Sequence, residues 1–246
     1  MSEIFNAVRN ANLEEVKRMV NEDPKCVHIQ DTSEWTPLDH AIYYNKLDVA
    51  RFLRVKGGRP NSKIYCNGCW NPVHATARSG HTATLKWLIE ETDLSIDMLK
   101  NKDATRKTPL DHAIDCAKLE TAKFLWEMGG RPNLEIYRDD IWPGPMHCVA
   151  RFGCTDILEW IFVKKVLPLS VLNIIDCMDQ TPLDFAIEHG KLENAALLRR
   201  LPVYSGFLAM QRAKRDYQCV LRKLPNELLD MVVDVAAARF HLKVAW

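Results

Sequence analysis

The sequence Thr36-Pro37-Leu38-Asp39-His40-Ala41-Ile42 decides the fold, because it recurs at fixed distances along the chain. It returns almost unchanged as Thr108-Pro109-Leu110-Asp111-His112-Ala113-Ile114 and again as Thr181-Pro182-Leu183-Asp184-Phe185-Ala186-Ile187, at intervals of 72 and 73 residues. Two weaker copies lie between these, at Asn71-Pro72-Val73-His74 and Gly144-Pro145-Met146-His147. The repeating unit is therefore about 36 residues long, and a period of this length is typical of repeat proteins.

Each unit has the pattern of two short helices and a loop. Threonine can cap a first turn, and the proline that follows it loses no hydrogen bond at the first helical position. In the second unit the pattern predicts a first helix over about residues 37–44 and a turn near Asn45-Lys46. A second amphipathic helix then ends at Gly57-Gly58. A single unit cannot bury its apolar face, whereas stacked units can, so the sequence predicts an all-α solenoid.

The helical pattern extends over most of the chain. Residues 7–16 match the two-helix part of a unit without its opening motif and carry the polar outer residues of a capping repeat. We predict six units, starting near residues 1, 36, 71, 108, 144 and 181, in a domain over residues 1–205. Residues 206–246 have no copy in the repeats and are predicted to form a separate C-terminal helical segment.

Composition limits the partners and the location. A net charge of +1 gives no electrostatic reason to expect nucleic acid or an anionic membrane as a partner. The first ten residues are polar and charged, unlike a signal peptide, and no apolar run approaches the roughly 18 residues of a membrane span. Eight scattered cysteines fit a reducing compartment. We therefore expect a cytoplasmic protein.

The T-P-L-D-H-A sequence followed by a helix pair resembles the ankyrin repeat. The resemblance implies a stack of helix pairs whose hairpin-like loops project to one side, and protein binding rather than catalysis. The chain departs from the family pattern at two positions. The glycine that precedes T-P-L in the family is replaced by Glu34, Arg106 and Asp179-Gln180, and the histidine of T-P-L-H by Asp39, Asp111 and Asp184.

The resemblance also implies a partner surface, formed by the loop tips and the solvent-facing side of each first helix. Here this surface, called the inner face below, comprises Arg9, Trp35, Tyr43, Tyr44, Trp70, Arg78, Lys107, Asp115, Arg151, Phe152, Gln180, Glu188 and His189. Tryptophan, tyrosine and arginine are the residues most enriched at binding hot spots. The alternative interpretation is that Trp35, Trp70 and Trp142 fill gaps between neighbouring loops.

The C-terminal segment contains a second pattern, Leu224-Pro225-Asn226-Glu227-Leu228-Leu229. It resembles the start of an F-box, the module that docks on the adaptor subunit of cullin-type ubiquitin ligases. Only 21 residues follow Pro225, fewer than a full module contains. The resemblance implies ligase docking through Leu224, Pro225, Leu228, Leu229 and Val232. Ankyrin repeats before such a segment resemble proteins of large DNA viruses and intracellular bacteria, which implies the host cytoplasm. The alternative is a plain scaffold or inhibitor whose C-terminal helix only caps the repeat stack.

The sequence gives only weak evidence for metal binding or catalysis. The pair Cys66 and Cys69, with His74 and His81 nearby, could hold zinc, but the sister unit has no cysteines at the matching positions. A loop with incidental thiols is the better interpretation. In the resemblance, His74 and His147 occupy the position of a histidine that forms hydrogen bonds between loops. No glycine-rich phosphate loop or nucleophile elbow is present in the sequence, so we expect neither an enzyme nor a cofactor.

Overall fold

The computed structural model describes residues 2–65, 70–92, 94–137, 145–176 and 178–200. In these residues the chain forms twelve α-helices and five short 3-10 helices, and no β-strand. The α-helices are α1 (Ser2–Arg9), α2 (Leu13–Glu22), α3 (Pro37–Tyr43), α4 (Leu47–Val55), α5 (Pro72–Ser79), α6 (Thr82–Glu91), α7 (Pro109–Asp115), α8 (Leu119–Glu127), α9 (Pro145–Phe152), α10 (Thr155–Val163), α11 (Pro182–Glu188) and α12 (Leu192–Arg200). The predicted C-terminal segment, residues 206–246, lies outside the described residues.

The helices are stacked in two layers. The first helices of the units form one layer, in which α1 packs on α3, α3 on α5, α5 on α7, α7 on α9 and α9 on α11. The second helices lie behind them, and α2 packs on α4 and α6 on α8. Each pair therefore buries its apolar side against its neighbours. The prediction of an all-α solenoid of two-helix units is confirmed.

The repeated Thr-Pro pair starts the first helices as predicted. The hydroxyl oxygen of Thr36 accepts a hydrogen bond from the Asp39 N–H at 3.2 Å, and the Asp39 carboxylate accepts one from the Thr36 N–H at 2.9 Å. The same reciprocal pair forms at Thr108 and at Thr181. Each of the two side chains accepts a hydrogen bond from a backbone N–H at the helix start. The motif therefore determines where each first helix begins.

Small residues allow the first helices to approach closely. One alanine in each of five first helices is completely buried between neighbouring units, namely Ala41, Ala77, Ala113, Ala150 and Ala186. After the C-terminal ends of two second helices, α4 and α8, Gly57 and Gly129 adopt a left-handed backbone with φ of +89°. A Cβ on the next residue, Gly58 or Gly130, would lie 2.8 Å from the carbonyl oxygen of Leu53 or Leu125. These glycines therefore end the second helices tightly.

Three loops have the same closed turn. The Asp31 N–H donates to the Trp35 carbonyl at 3.0 Å, and the same bond joins Asp103 to Lys107 and Asp176 to Gln180. The residue at the tip has a positive φ each time: 62° at Glu34, 62° at Arg106 and 59° at Asp179. These residues stand where the resemblance expects glycine. The chain thus keeps the turn at the cost of holding a side chain in the left-handed region.

Candidate protein-binding surface

The inner face contains a pair that recurs in three units. In each, the residue before the motif threonine contacts the residue eight positions later, at the end of the first helix. The Trp35 and Tyr43 rings meet edge to face at 5.0 Å. Lys107 Nζ lies 2.9 Å from Asp115 Oδ2, and Gln180 Nε2 donates to Glu188 Oε2 at 2.9 Å. The structure therefore brings these predicted residues together in pairs, with different chemistry in each unit.

Aromatic side chains cluster where the first two units meet. The Tyr44 ring, 39% exposed, lies 5.0 Å from the Tyr43 ring. The Arg9 guanidinium of the first unit lies 5.6 Å from the Tyr44 ring centre, within the range of a cation–π contact. Trp35 also touches the buried His40, at 5.5 Å between ring centres. The cluster offers a partner one cationic and three aromatic side chains on adjoining units.

Trp70 sits between two units. Its ring stacks on His74 of its own unit at 5.9 Å and meets His112 of the next unit edge to face at 4.9 Å. This arrangement supports gap filling between loops as one role of Trp70, which is half-buried. Trp142, the third tryptophan of that interpretation, lies outside the described residues.

A groove of about 690 Å³ crosses the third, fourth and fifth units at the ends of their first helices. It is lined by Arg78, Ser79, Cys116, Ala117, Lys118, Phe152 and Cys154. Phe152 is 53% exposed, although it is large and apolar. Arg151 beside it is exposed too, as are Glu188 and His189 in the last unit. Sequence reasoning found Arg78 and Phe152 but missed Lys118 and Cys154, which belong to the turns that follow the first helices.

A buried polar layer beneath the inner face joins each loop to the next. The Asp39 carboxylate accepts hydrogen bonds from the Tyr65 hydroxyl at 2.9 Å and from the Asn61 N–H at 3.2 Å, both in the following loop. Burial raises the pKa of Asp39, against the opposing effect of these bonds. Burial next to that carboxyl raises the pKa of Tyr65 well above its usual value. Asp111 accepts from the Asn133 N–H at 3.0 Å in the same way.

In the alternate units, histidine occupies the sequence position that Asp39 and Asp111 hold in the others. His74 Nε2 lies 3.1 Å from the Asn101 carbonyl oxygen, and His147 Nε2 lies 3.0 Å from the Gln180 carbonyl oxygen. The predicted role of both histidines, hydrogen bonding between loops, is confirmed. Burial lowers the pKa of His74 to about 4 and also lowers that of His147. A neutral imidazole donates one N–H, which suits a carbonyl acceptor.

The neighbouring Asp-His letters of the motif do not form catalytic pairs. His40 Nε2 contacts Asp31 at 2.7 Å, and His112 Nε2 contacts Asp103 at 2.7 Å, so each histidine holds the base of its own loop. Burial acts to raise the pKa of Asp103, but hydrogen bonds from Thr105, His112 and the Lys107 N–H outweigh it and lower that pKa. These histidines are therefore part of the loop architecture.

The described cysteines, Cys26, Cys116, Cys148 and Cys154, are free thiols. Cys66 to Cys69 lie outside the described residues, while the His74 ring is bonded to a loop carbonyl. Within the described ranges, no group of three or more His, Cys, Asp or Glu side chains could hold a metal ion. Burial raises the pKa of Cys148 to about 12 and raises that of Cys116, which disfavours the nucleophilic thiolate at these positions. None of the described helices is long and apolar enough to cross a membrane.

Comparison with known proteins agrees with the helix stack. Residues 60–136 match the family model described as ankyrin repeats (3 copies). A putative ankyrin repeat protein of Rickettsia felis is 24% identical over 155 residues, which are 54% of this chain and 40% of that protein. Alpha-latrocrustotoxin-Lt1a of Latrodectus tredecimguttatus is 27% identical over 121 residues, 49% of this chain but 8% of the toxin. The chain thus spans less than half the length of either relative. The all-helical fold of the described residues is consistent with an ankyrin-repeat solenoid.

Proposed function

We propose that the chain binds a partner protein through its inner face. The observation that supports this proposal is the set of exposed side chains at the ends of the first helices in four units. Tyr44 and Phe152 are 39% and 53% exposed there, and Arg9, Arg78 and Arg151 are exposed beside them. Burying aromatic and arginine side chains of this kind gives most of the free energy in many protein interfaces.

The test compares two double variants in quantitative capture from cytosol. Tyr44→Ala with Phe152→Ala removes apolar area from the inner face. Val55→Ala with Val163→Ala removes apolar area from the second helices, where these valines are 83% and 76% exposed. Both pairs leave the core intact, so equal melting temperatures are expected and serve as the control.

We expect the variant with Tyr44→Ala and Phe152→Ala to capture about tenfold less partner than the parent, or less still. Truncating a hot-spot side chain costs about 1–2 kcal/mol or more of binding free energy. The valine pair should retain them. Partners that survive the inner-face pair and disappear with the valine pair would place the binding surface on the second helices and refute the proposal.

A finer proposal concerns the C-terminal segment. Its Leu-Pro-x-Glu-Leu-Leu spelling supports a role as a substrate-recruiting adaptor, in which Leu224, Pro225, Leu228, Leu229 and Val232 dock on the adaptor subunit of a cullin-type ubiquitin ligase. The inner face would then hold the target. These five residues lie outside the described residues, so the proposal rests on the sequence pattern. The competing proposal is that the segment caps the repeat stack through Leu197, Leu198 and Leu201.

Two measurements separate docking from capping. Docking predicts that the full chain copurifies with the ligase adaptor subunit and that Leu224→Ala with Pro225→Ala abolishes this, while the Val55→Ala and Val163→Ala control retains it. Capping predicts instead that deletion of residues 224–246 lowers the melting temperature sharply. Copurification that persists in the Leu224 and Pro225 variant would rule out docking through this pattern, and an unchanged melting temperature would rule out capping.

A further inference from the structure

We infer that the segment bound across the third to fifth units is acidic and extended, and that it carries an apolar side chain for the groove. This inference rests on the proposed function of the inner face and adds the chemistry of the partner. It follows from three features of the described residues: the alternation of charge along the first helices, the internal pairing of the acid at the centre, and the shape of the groove.

Charge alternates along the inner face with the double unit. The same position at the end of the first helix holds Arg9, Arg78 and Arg151 in the first, third and fifth units, and all three are exposed. In the second, fourth and sixth units the position holds Tyr43, Asp115 and Glu188. Three exposed arginines are thus separated by one aromatic side chain and one carboxylate.

The carboxylate at the centre is paired with a lysine of its own unit. Asp115 Oδ2 lies 2.9 Å from Lys107 Nζ, and the aspartate side chain is only 18% exposed. The pair offers a partner little net charge, so Arg78, Arg151 and Lys118 dominate the potential over the groove. The exposed acids in the loops of the middle units are paired as well, Asp97 with Lys100 at 2.9 Å and Glu135 with Lys102 at 3.4 Å. The cations of the groove therefore favour an acidic ligand at the centre.

The fourth and fifth units also carry acids on their second helices. Glu120 on α8 forms an ion pair with Lys123 at 3.0 Å, and Asp156 on α10 is exposed. Neither lines the groove. The groove itself combines two cations, Arg78 and Lys118, with the exposed Phe152 ring and the small Ser79 and Ala117. Such a lining fits an apolar side chain flanked by carboxylates.

The distance between Arg78 and Arg151 determines how long the bound partner segment must be. Neighbouring packed helices lie about 8–10 Å apart, so Arg78 and Arg151, two units apart, are about 20 Å from each other. An extended chain advances about 3.3 Å per residue, so about six residues cover that distance. The partner segment should therefore carry two acidic positions about six residues apart with an apolar residue between them.

Selection from a random peptide library displayed on phage tests this inference with the full chain. Five proteins serve as bait: the parent, Arg78→Glu with Arg151→Glu, the milder Arg151→Gln, the pair Tyr44→Ala with Phe152→Ala, and a matched control with Arg51→Glu and Lys164→Glu. The control residues are exposed and lie on α4 and after α10. Circular dichroism confirms that each variant is folded, and Arg151→Gln serves if the charge reversal is not tolerated.

The expected result is enrichment of peptides with acidic residues around an aromatic or aliphatic one by the parent and by the control. Their affinity should fall about tenfold or more on Arg78→Glu with Arg151→Glu, less on Arg151→Gln, and also at high salt. Enriched peptides without acidic residues that still depend on Tyr44 and Phe152 would overturn the inference and leave the proposed function standing. Enriched peptides indifferent to the arginines, Tyr44 and Phe152 would contradict both.

Discussion

At the scale of single residues, the position after the motif leucine links each unit to the next. It is Asp39 or Asp111 in one kind of unit, where the carboxylate accepts hydrogen bonds from the next loop. It is His74 or His147 in the other kind, where the imidazole binds a carbonyl of the next loop. All four side chains are buried, so a lost partner would leave a polar group without a hydrogen bond inside the protein.

The first residue-scale prediction concerns Tyr65→Phe. The substitution removes the hydroxyl that donates to the buried Asp39 carboxylate at 2.9 Å. We expect the free energy of unfolding to fall by about 1–3 kcal/mol, because a buried carboxylate loses a partner. Tyr44→Phe on the exposed face is the matched control and should change it by less than about 0.5 kcal/mol. Denaturant unfolding measures both, and equal values for the two variants would contradict the linking role of Tyr65.

A second prediction concerns acid and His74→Gln, in which an amide can still donate to the Asn101 carbonyl. Burial lowers the pKa of His74 from 6.5 to about 4 in the folded protein. Between these pH values the unfolded chain binds the proton more strongly, so the stabilising contribution is present above pH 6.5 and is lost as the pH falls through 4. The parent should lose up to about 3 kcal/mol more than the glutamine variant between pH 7 and pH 4.

Urea unfolding at several pH values checks this. Asp31, Asp103 and His112 also have lowered pKa values in the folded protein, so both proteins become less stable in acid. Only the difference between the two proteins reports on His74. Parallel curves across this range would show that the imidazole is not buried as the structure describes.

At the scale of elements, the loops keep one turn although their sequences differ. Glu34, Arg106 and Asp179 hold the left-handed tip in three loops, each closed by the same backbone hydrogen bond. Side chains next to these tips can vary because the aspartate at the base of each loop, Asp31, Asp103 or Asp176, holds the turn by accepting hydrogen bonds from two backbone N–H groups. Thus Trp35, Lys107 and Gln180 occupy one position with three chemistries, and each finds a partner at the end of its first helix.

The left-handed backbone at Glu34 predicts a difference in stability between Glu34→Gly and Glu34→Ala. Both variants lose the carboxylate, but only glycine adopts a φ of 62° without steric cost. The glycine variant should be more stable than the alanine variant by about 1 kcal/mol, measured by thermal or denaturant unfolding. An alanine variant as stable as the glycine one would mean that the tip is not left-handed.

At the scale of the whole molecule, the chain repeats as pairs of units. The 72-residue period alternates aspartate with histidine beneath the inner face, and arginine with other residues upon it. A ligand bound along this face would contact one arginine in every second unit. The double unit therefore determines both the buried contacts between units and the spacing of the exposed arginines.

Much of this could be predicted from the sequence, because Thr-Pro starts, buried alanines and terminal glycines act locally. The contacts between Lys107 and Asp115 and between Gln180 and Glu188 could not be predicted, since they join a loop to a helix end and follow no helical period. The groove was missed for a related reason. Lys118 and Cys154 come from turns of different units, and only stacking brings them beside Phe152.

Hydrogen–deuterium exchange of the full chain, with and without a partner obtained by capture, tests the central claim most directly. We predict that the partner slows exchange in the loops and first helices of the middle units, around residues 103–116 and 145–152, while α4, α8 and α10 exchange as before. Slower exchange confined to those second helices, with the loops and first helices unchanged, would contradict binding at the inner face.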